Sequence, residues 1–293
     1  MKYAVLAAAL GACALAACVP GTPPPGTPGA PDAPGPTDAA TPIDASDILG
    51  PPWRLVWQDE FDGPENQRPD PAKWRHDVGG DGWGNQQLEF DTDRPENASL
   101  DGQGRLRITA RREDYGGRNF TSARINTAGR FARAYGRFEA RIKLPRGQGI
   151  WPAFWVLGDN ISNVGWPSCG EIDIMEYRGQ QPRHFRGSLH GPGYSGGANH
   201  GRDLDSGVDL SQGFHVYTIE WDPGRIIFKI DDDPFFTATP ADLPAGTSWV
   251  YDHPFFIILN VAVGGTYVGN PDGSTVFPQT MLVDYVRVYE RIP

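Results

Sequence analysis

Residues 170–178 read Gly-Glu-Ile-Asp-Ile-Met-Glu-Tyr-Arg, placing three carboxylates, Glu171, Asp173 and Glu176, among apolar neighbours. Charged side chains avoid strand interiors unless they are paired or useful. Strand side chains alternate faces, so Glu171 and Asp173 share one face while Ile172 and Ile174 take the other. Glu176 falls on the wrong parity in a regular strand. One extra residue at Ile174–Met175, a β-bulge, returns it to the acidic face, and bulges recur beside active sites because they re-aim a side chain. The two glutamates then stand about four strand steps apart, roughly 13 Å between Cα atoms. Leaning toward each other, their carboxyls can approach about 5–5.5 Å, the separation of nucleophile and acid/base in retaining glycoside hydrolysis. Asp173 lies between them, where it can hydrogen-bond the nucleophile and keep the two titrations apart. Taken alone, the spacing also describes a solvated acidic strand face, and the flanking segments decide.

Those segments run in order from Trp53 to Glu290. They are Trp-Gln-Asp-Glu-Phe at 57–61, Trp-Gly-Asn-Gln-Gln-Leu-Glu-Phe at 83–90, and Ser-Ala-Arg-Ile-Asn-Thr at 122–127. Tyr-Gly-Arg-Phe-Glu-Ala-Arg-Ile-Lys-Leu-Pro at 135–145 and Gly-Ile-Trp-Pro-Ala-Phe-Trp at 149–155 follow. His-Gly-Pro-Gly-Tyr-Ser-Gly-Gly at 190–197 and Val-Asp-Tyr-Val-Arg-Val-Tyr at 283–289 complete the set. With the bulged acidic run, this series resembles glycoside hydrolase family 16 in its laminarinase branch. The resemblance implies an all-β fold, a β-jelly-roll sandwich of two antiparallel sheets with a concave substrate cleft. It implies a retaining endo-β-1,3-glucanase acting on β-1,3- or mixed β-1,3/1,4-glucans, with Glu171 as nucleophile, Glu176 as acid then base, and Asp173 assisting. The branch with the shorter, unbulged run is the lichenase branch. Agarase, carrageenase, transglycosylase and a non-catalytic β-glucan-binding protein are the alternatives.

A cleft for sugar chains also needs aromatic platforms and polar side chains for hydroxyls. Trp151 and Trp155 lie four apart and share a strand face. Trp166 sits in the Gly/Pro-containing stretch before the acidic run. All three are expected to offer ring faces to sugar, with core packing as the competing role. The resemblance places Asn85 and Arg124 on the glycone side and Asn260 at another cleft position, and an amide or guanidinium fork can bridge sugar hydroxyls. It also places His190 near the scissile bond. Trp53, Trp57, Trp74 and Trp249 are read as structural, and Glu220 and Trp221 as packing or orienting residues. Catalysis of this kind needs no cofactor. A structural Ca2+ away from the cleft is a further implication, with backbone carbonyls of Glu60 and Gly104 and the carboxylate of Asp284 as its oxygen ligands. Asp231-Asp232-Asp233 precedes Pro234 and reads as a hairpin turn rather than a metal site.

The elements that must position these residues occupy one domain, 51–293. Short alternating runs recur between turn residues there, as in 106–110, 138–142 and 225–230. Lys2 followed by an apolar stretch to Leu15 reads as a signal peptide over 1–17, ending in Leu-Ala-Ala-Cys. That ending looks like a lipobox, with cleavage before Cys18 and acylation of its thiol and amine. Residues 19–50, rich in Pro, Gly, Ala, Thr and Asp, bury too little to order themselves and read, with Cys18, as an extended tether. The expected location is the cell envelope, lipid-anchored at the outer membrane or cell surface, or secreted. Cys18 and Cys169 are the thiols left after processing, so no disulfide framework is expected. Cys169 reads as a buried small hydrophobe. A net charge of −10 argues against nucleic acid or anionic polysaccharide and suits a neutral glucan. The expected state is a monomer.

Overall fold

The computed structural model describes residues 52–292. The stretches read as signal peptide (1–17) and tether (19–50), and Cys18, read as an acylation site, lie outside the described residues. The larger sheet has ten strands. Its main path runs β15 (Asp233–Ala238), β14 (Arg225–Ile230), β13 (His215–Asp222), β8 (Gly136–Lys143), β17 (Gln279–Arg291), β5 (Leu106–Tyr115), β6 (Arg118–Ser122) and β3 (Glu89–Asp91). β1 (Trp53–Asp59) joins it on β17, and β4 (Ala98–Leu100) on β5. The smaller sheet has seven strands in the order β12 (His200–Asp205), β11 (His184–His190), β10 (Glu171–Tyr177), β9 (Ile150–Gly158), β16 (Phe255–Val263), β7 (Arg124–Asn126) and β2 (Arg75–Asp77). Among the described strands the pairings are antiparallel except β3 with β6. The expected all-β sandwich of two sheets is borne out. Among the described residues no helix is long and apolar enough to cross a membrane.

Alternation explains how the sheets pair. On β16, Phe255, Ile257, Leu259, Val261 and Val263 enter the main core, while Phe256, Ile258, Asn260 and Ala262 face the other way. On β9, Ile150, Phe154 and Val156 enter the same core, and Trp151, Trp155 and Leu157 line the opposite face. The larger sheet answers with Phe138, Ala140 and Ile142 of β8 and Val286 and Val288 of β17. Truncating one such residue, Phe154 to Ala, should cost about 3–5 kcal/mol. The Asp231–Asp232 turn joins β14 to β15 with both residues at positive φ and Ile230 opposite Asp233, the two-residue hairpin geometry expected of it. Trp74 is buried and donates to Asp59 at 2.7 Å, and Trp57 stacks on Phe131, so both are structural. Trp221 is buried and donates to the Tyr251 carbonyl, while Glu220 accepts from Arg137 and Lys229.

Candidate active site

The bulge lies where the parity of the sequence requires it. Against β9, Asp173 pairs with Trp155 and Met175 with Phe154, leaving Ile174 as the extra residue. Against β11, Asp173 pairs with Ser188 and Glu176 with Arg186, so three steps on one strand match two on the other. Ile172, Ile174, Met175 and Tyr177 are buried, while Glu171 and Glu176 keep partial exposure on the far face. Each glutamate is held by an indole. Trp166 Nε1 donates to Glu171 Oε2 at 3.0 Å, and Trp151 Nε1 donates to Glu176 Oε1 at 3.1 Å. Two of the three cleft tryptophans expected from the sequence, Trp151 and Trp166, therefore touch the carboxyl pair directly, and Trp166 remains half exposed at the rim.

Asp173 is buried between the two glutamates and is the acceptor around which the site is built. Ser188 Oγ donates to its Oδ2 at 2.7 Å, and His190 Nε2 lies 3.0 Å from the same oxygen. His190 pairs with Glu171 in the strand register, and its Nε2 is 3.8 Å from Glu171 Oε1. On the other side of the ring, the Gly196 N–H donates to Nδ1 at 3.0 Å. That contact leaves the ring proton on Nε2, pointing at the carboxylates. The loop that carries Gly196 turns tightly at Gly191, where a Cβ would sit 2.3 Å from the Tyr194 hydroxyl, so only glycine fits.

The charges act on one another. Burial, then the Asp173 charge, pushes Glu171 well above the usual carboxylate range, against the opposing influence of His190, the Trp166 donor and Arg124. The same two causes push Glu176 up, and the charge of Glu171 adds to them, against His190 and the Trp151 donor. Burial alone would lower His190, but the charge and hydrogen bond of Asp173 outweigh it and hold the imidazole up at about 9. A second ring proton would displace the Gly196 N–H from Nδ1, so the ring gains charge only by giving up that bond.

Farther along the sheet, Arg124 on β7 sits between two indoles, 4.7 Å from the ring centre of Trp83 and 4.7 Å from that of Trp155. Its Nε donates to Asp77 across the β2–β7 register. Trp155 Nε1 donates to Asn260 Oδ1 at 2.8 Å, and Asn260 pairs with Arg124 in the next register. Asn85 is exposed in the preceding loop, where its carbonyl accepts from Thr266. Trp151 packs on Tyr267, over which Arg178 lies at 4.1 Å. Arg124, Trp155 and Asn260 thus form one contiguous group on the cleft floor.

Ser188, Trp83 and Asp77 belong to this surface and were missing from the sequence reading. Ser188 stands two residues before His190, hence on the same strand face, and that parity was the available signal. Cys169 is buried and unpaired, as expected of a packing residue. Of the residues read as calcium ligands, Glu60 is read through its main-chain carbonyl, and its carboxylate accepts from Arg287 at 2.8 and 3.0 Å; the Asp284 carboxylate accepts from Arg141 at 2.7 Å. Gly104 lies in the turn just before β5, whose Leu106 pairs with Val283. The registers bring the three segments to one end of the larger sheet. A cation here would draw on the main-chain carbonyls of Glu60 and Gly104 and on the Asp284 carboxylate, which Arg141 would have to release.

Residues 83–287 match the family model described as glycosyl hydrolases family 16. A β-glucanase of Rhodothermus marinus is 44% identical over 249 residues, 82% of this chain and 86% of that protein. The laminarinase catalytic domain of Thermotoga maritima superimposes with a TM-score of 0.77 at 47% identity, covering 82% of this chain and 99% of that one. A β-1,3-glucan-binding protein of Penaeus monodon is 35% identical over 188 residues, 55% of this chain and 51% of that protein.

Proposed function

Because the chain belongs to glycosyl hydrolase family 16, we propose that it is a retaining endo-β-1,3-glucanase of the laminarinase type. It hydrolyses internal β-1,3 linkages of β-1,3- or mixed β-1,3/1,4-glucans, with Glu171 as nucleophile and Glu176 as acid, then base. The observation that carries this reading is the register shift that turns Glu176 onto the face of Glu171, with Asp173 between them. The surroundings also support an unequal sharing of protons. Burial, Asp173, His190 and an indole donor act on both glutamates, but Glu171 has Arg124 favouring its charge in addition, whereas Glu176 feels the charge of Glu171. The proton belongs on Glu176.

In the first step Glu171 attacks the anomeric carbon as Glu176 gives its proton to the departing glycosidic oxygen. Forming the glycosyl-enzyme removes the charge of Glu171, which lowers the pKa of Glu176 and readies it to deprotonate water. Water then attacks the anomeric carbon, restoring Glu171 and leaving its proton on Glu176. Asp173 stays in place between them, held by Ser188 and His190. No cofactor takes part in this chemistry.

The test is reducing-sugar release from laminarin and curdlan by wild type and Glu171→Gln, with lichenan, agarose and carrageenan in parallel. Release from laminarin and curdlan that disappears in the variant is expected. Wild type that binds glucan yet releases no more sugar than the variant would establish a binding module instead. We also propose that Cys18 is acylated and holds the catalytic domain at a membrane by its tether. Multiple acyl chains suffice for stable attachment without a spanning helix. Cys18→Ser should move the protein to the soluble fraction, and unchanged retention on membranes would count against acylation.

A further inference from the structure

Ser188 is fully buried, yet its hydroxyl stands at the meeting point of three titratable side chains. Its Oγ is 2.7 Å from Asp173 Oδ2, 3.4 Å from Glu176 Oε2 and 3.5 Å from His190 Nε2. The hydroxyl has one hydrogen to give and lone pairs to offer. His190 carries its own proton on Nε2, because Nδ1 accepts from Gly196, so the ring is no acceptor for the serine. The serine hydrogen goes to Asp173, its nearest acceptor. The lone pairs left over face Glu176 Oε2. On Glu176 itself, Oε1 already accepts the Trp151 N–H, so a proton on this carboxyl belongs on Oε2.

We propose that Ser188 is a positioning residue that holds the acid proton on Glu176 Oε2 in the free enzyme, through the relay Glu176 Oε2–H to Ser188 Oγ–H to Asp173 Oδ2. The proposal rests on the assignment of Glu176 as the acid. When substrate enters, the glycosidic oxygen replaces Ser188 as the acceptor. The Oε2–H bond breaks as the new O–H bond forms on the leaving oxygen, and the serine keeps its own proton throughout. The 3.4 Å contact suits a resting state, since catalytic hydrogen bonds are often long before substrate binds. The serine dipole also presents its negative end to Glu176, adding to the field of Asp173. It therefore favours the protonated acid. The other titratable groups facing Glu176 are Glu171, whose charge also favours the proton, and His190, whose charge would oppose it.

The experiment compares Ser188→Ala and Ser188→Thr with wild type, using kcat/KM against pH on laminarin and on dinitrophenyl β-laminaribioside. The aryl group leaves without protonation, so its first step does not need the acid. For Ser188→Ala we expect about a tenfold loss on laminarin, a part of the 10²–10⁴ typical of general acid–base catalysis. The alkaline limb should move to lower pH, and the loss on the aryl substrate should stay under about twofold. Ser188→Thr keeps the hydroxyl and should restore both the rate and the limb. Equal losses on the two substrates, an unmoved alkaline limb, or full laminarin activity in Ser188→Ala would each overturn the proposal. Glu176→Ala on the same substrates separates the two levels of inference. If it loses as much on the aryl substrate as on laminarin, the acid assignment itself is wrong. If it spares the aryl substrate while Ser188→Ala behaves as wild type, only the serine relay falls.

Discussion

Glu89→Gln should raise stability in neutral solution and flatten its dependence on pH. Glu89 is fully buried on β3, where Oε2 accepts the Val263 N–H at 2.8 Å and Oε1 has no partner. Two residues on, Asp91 is also buried on the same strand face, with Oδ1 unpartnered. Burial pushes Glu89 up from an ordinary 4.5 to about 7, against the Val263 hydrogen bond that favours its charge. Burial and the charge of Glu89 push Asp91 well up in turn. The sign follows from proton linkage. Below 4.5 the carboxyl is protonated both folded and unfolded, and its full contribution to stability is present. Between 4.5 and about 7 the unfolded chain releases the proton that the fold retains, so stability falls as pH rises. Above that window the carboxyl must ionise in place, at a cost on the order of 3 kcal/mol. Glutamine keeps a carbonyl for Val263 and never ionises, and its amide can donate toward the free oxygen of Asp91. In a domain of this size 1 kcal/mol moves Tm by about 2–4 °C, so Glu89→Gln should melt about 6 °C or more above wild type at pH 8. Near pH 4 the two should melt together. Calorimetry across that range decides it. A variant that melts below wild type at pH 8, or that keeps the wild-type slope between pH 4.5 and 7, would refute the reasoning.

Three further outcomes can be checked. The kcat/KM profile on laminarin should be bell-shaped, falling at high pH as Glu176 loses its proton and at low pH as Glu171 gains one. Because both carboxyls are pushed above 4.5, its acid limb should lie above that value, and full activity down to pH 4 would contradict the shift. Trp155→Phe keeps a ring against Arg124 but loses the N–H to Asn260, so KM should rise severalfold with kcat nearly unchanged, read from initial rates on laminarin. Burial pushes the Cys169 thiol up to about 11. Peptide mapping after treatment with a thiol reagent at pH 8 should find Cys169 unmodified in the folded protein and modified after denaturation.

The bulge was legible because Asp173 and Glu176 break a parity that the surrounding isoleucines otherwise keep. Trp151 and Trp155 could be placed together by the same period-two logic, and strands 106–110, 138–142 and 225–230 fall within β5, β8 and β14. What stayed hidden depends on which strands neighbour which. Ser188 meets Asp173 only because β10 and β11 pair in one register, and Arg124 meets Trp83 and Asp77 only through a loop and an edge strand distant in sequence. Nothing in residue type marks Glu89 and Asp91 as buried; their burial depends on the segments packed around β3, among them the end of β16, whose Val263 N–H donates to Glu89. Equally hidden was the pairing of Arg141, remote in the chain, with the Asp284 carboxylate that the resemblance reads as a calcium ligand.

The strand bearing the reacting glutamates stands third from one border of the smaller sheet and fifth from the other. A polymer laid across the strands therefore finds about 19 Å of floor on the β9–β2 side and about 10 Å on the β11–β12 side, at about 4.8 Å per strand. Arg124, Trp155 and Asn260 all lie on the wider flank, the one that the family resemblance of Arg124 assigns to the fragment joined to Glu171. On that assignment the fragment on the narrower flank has the smaller floor to hold it, and its departure vacates the approach that an incoming water or a second saccharide must use.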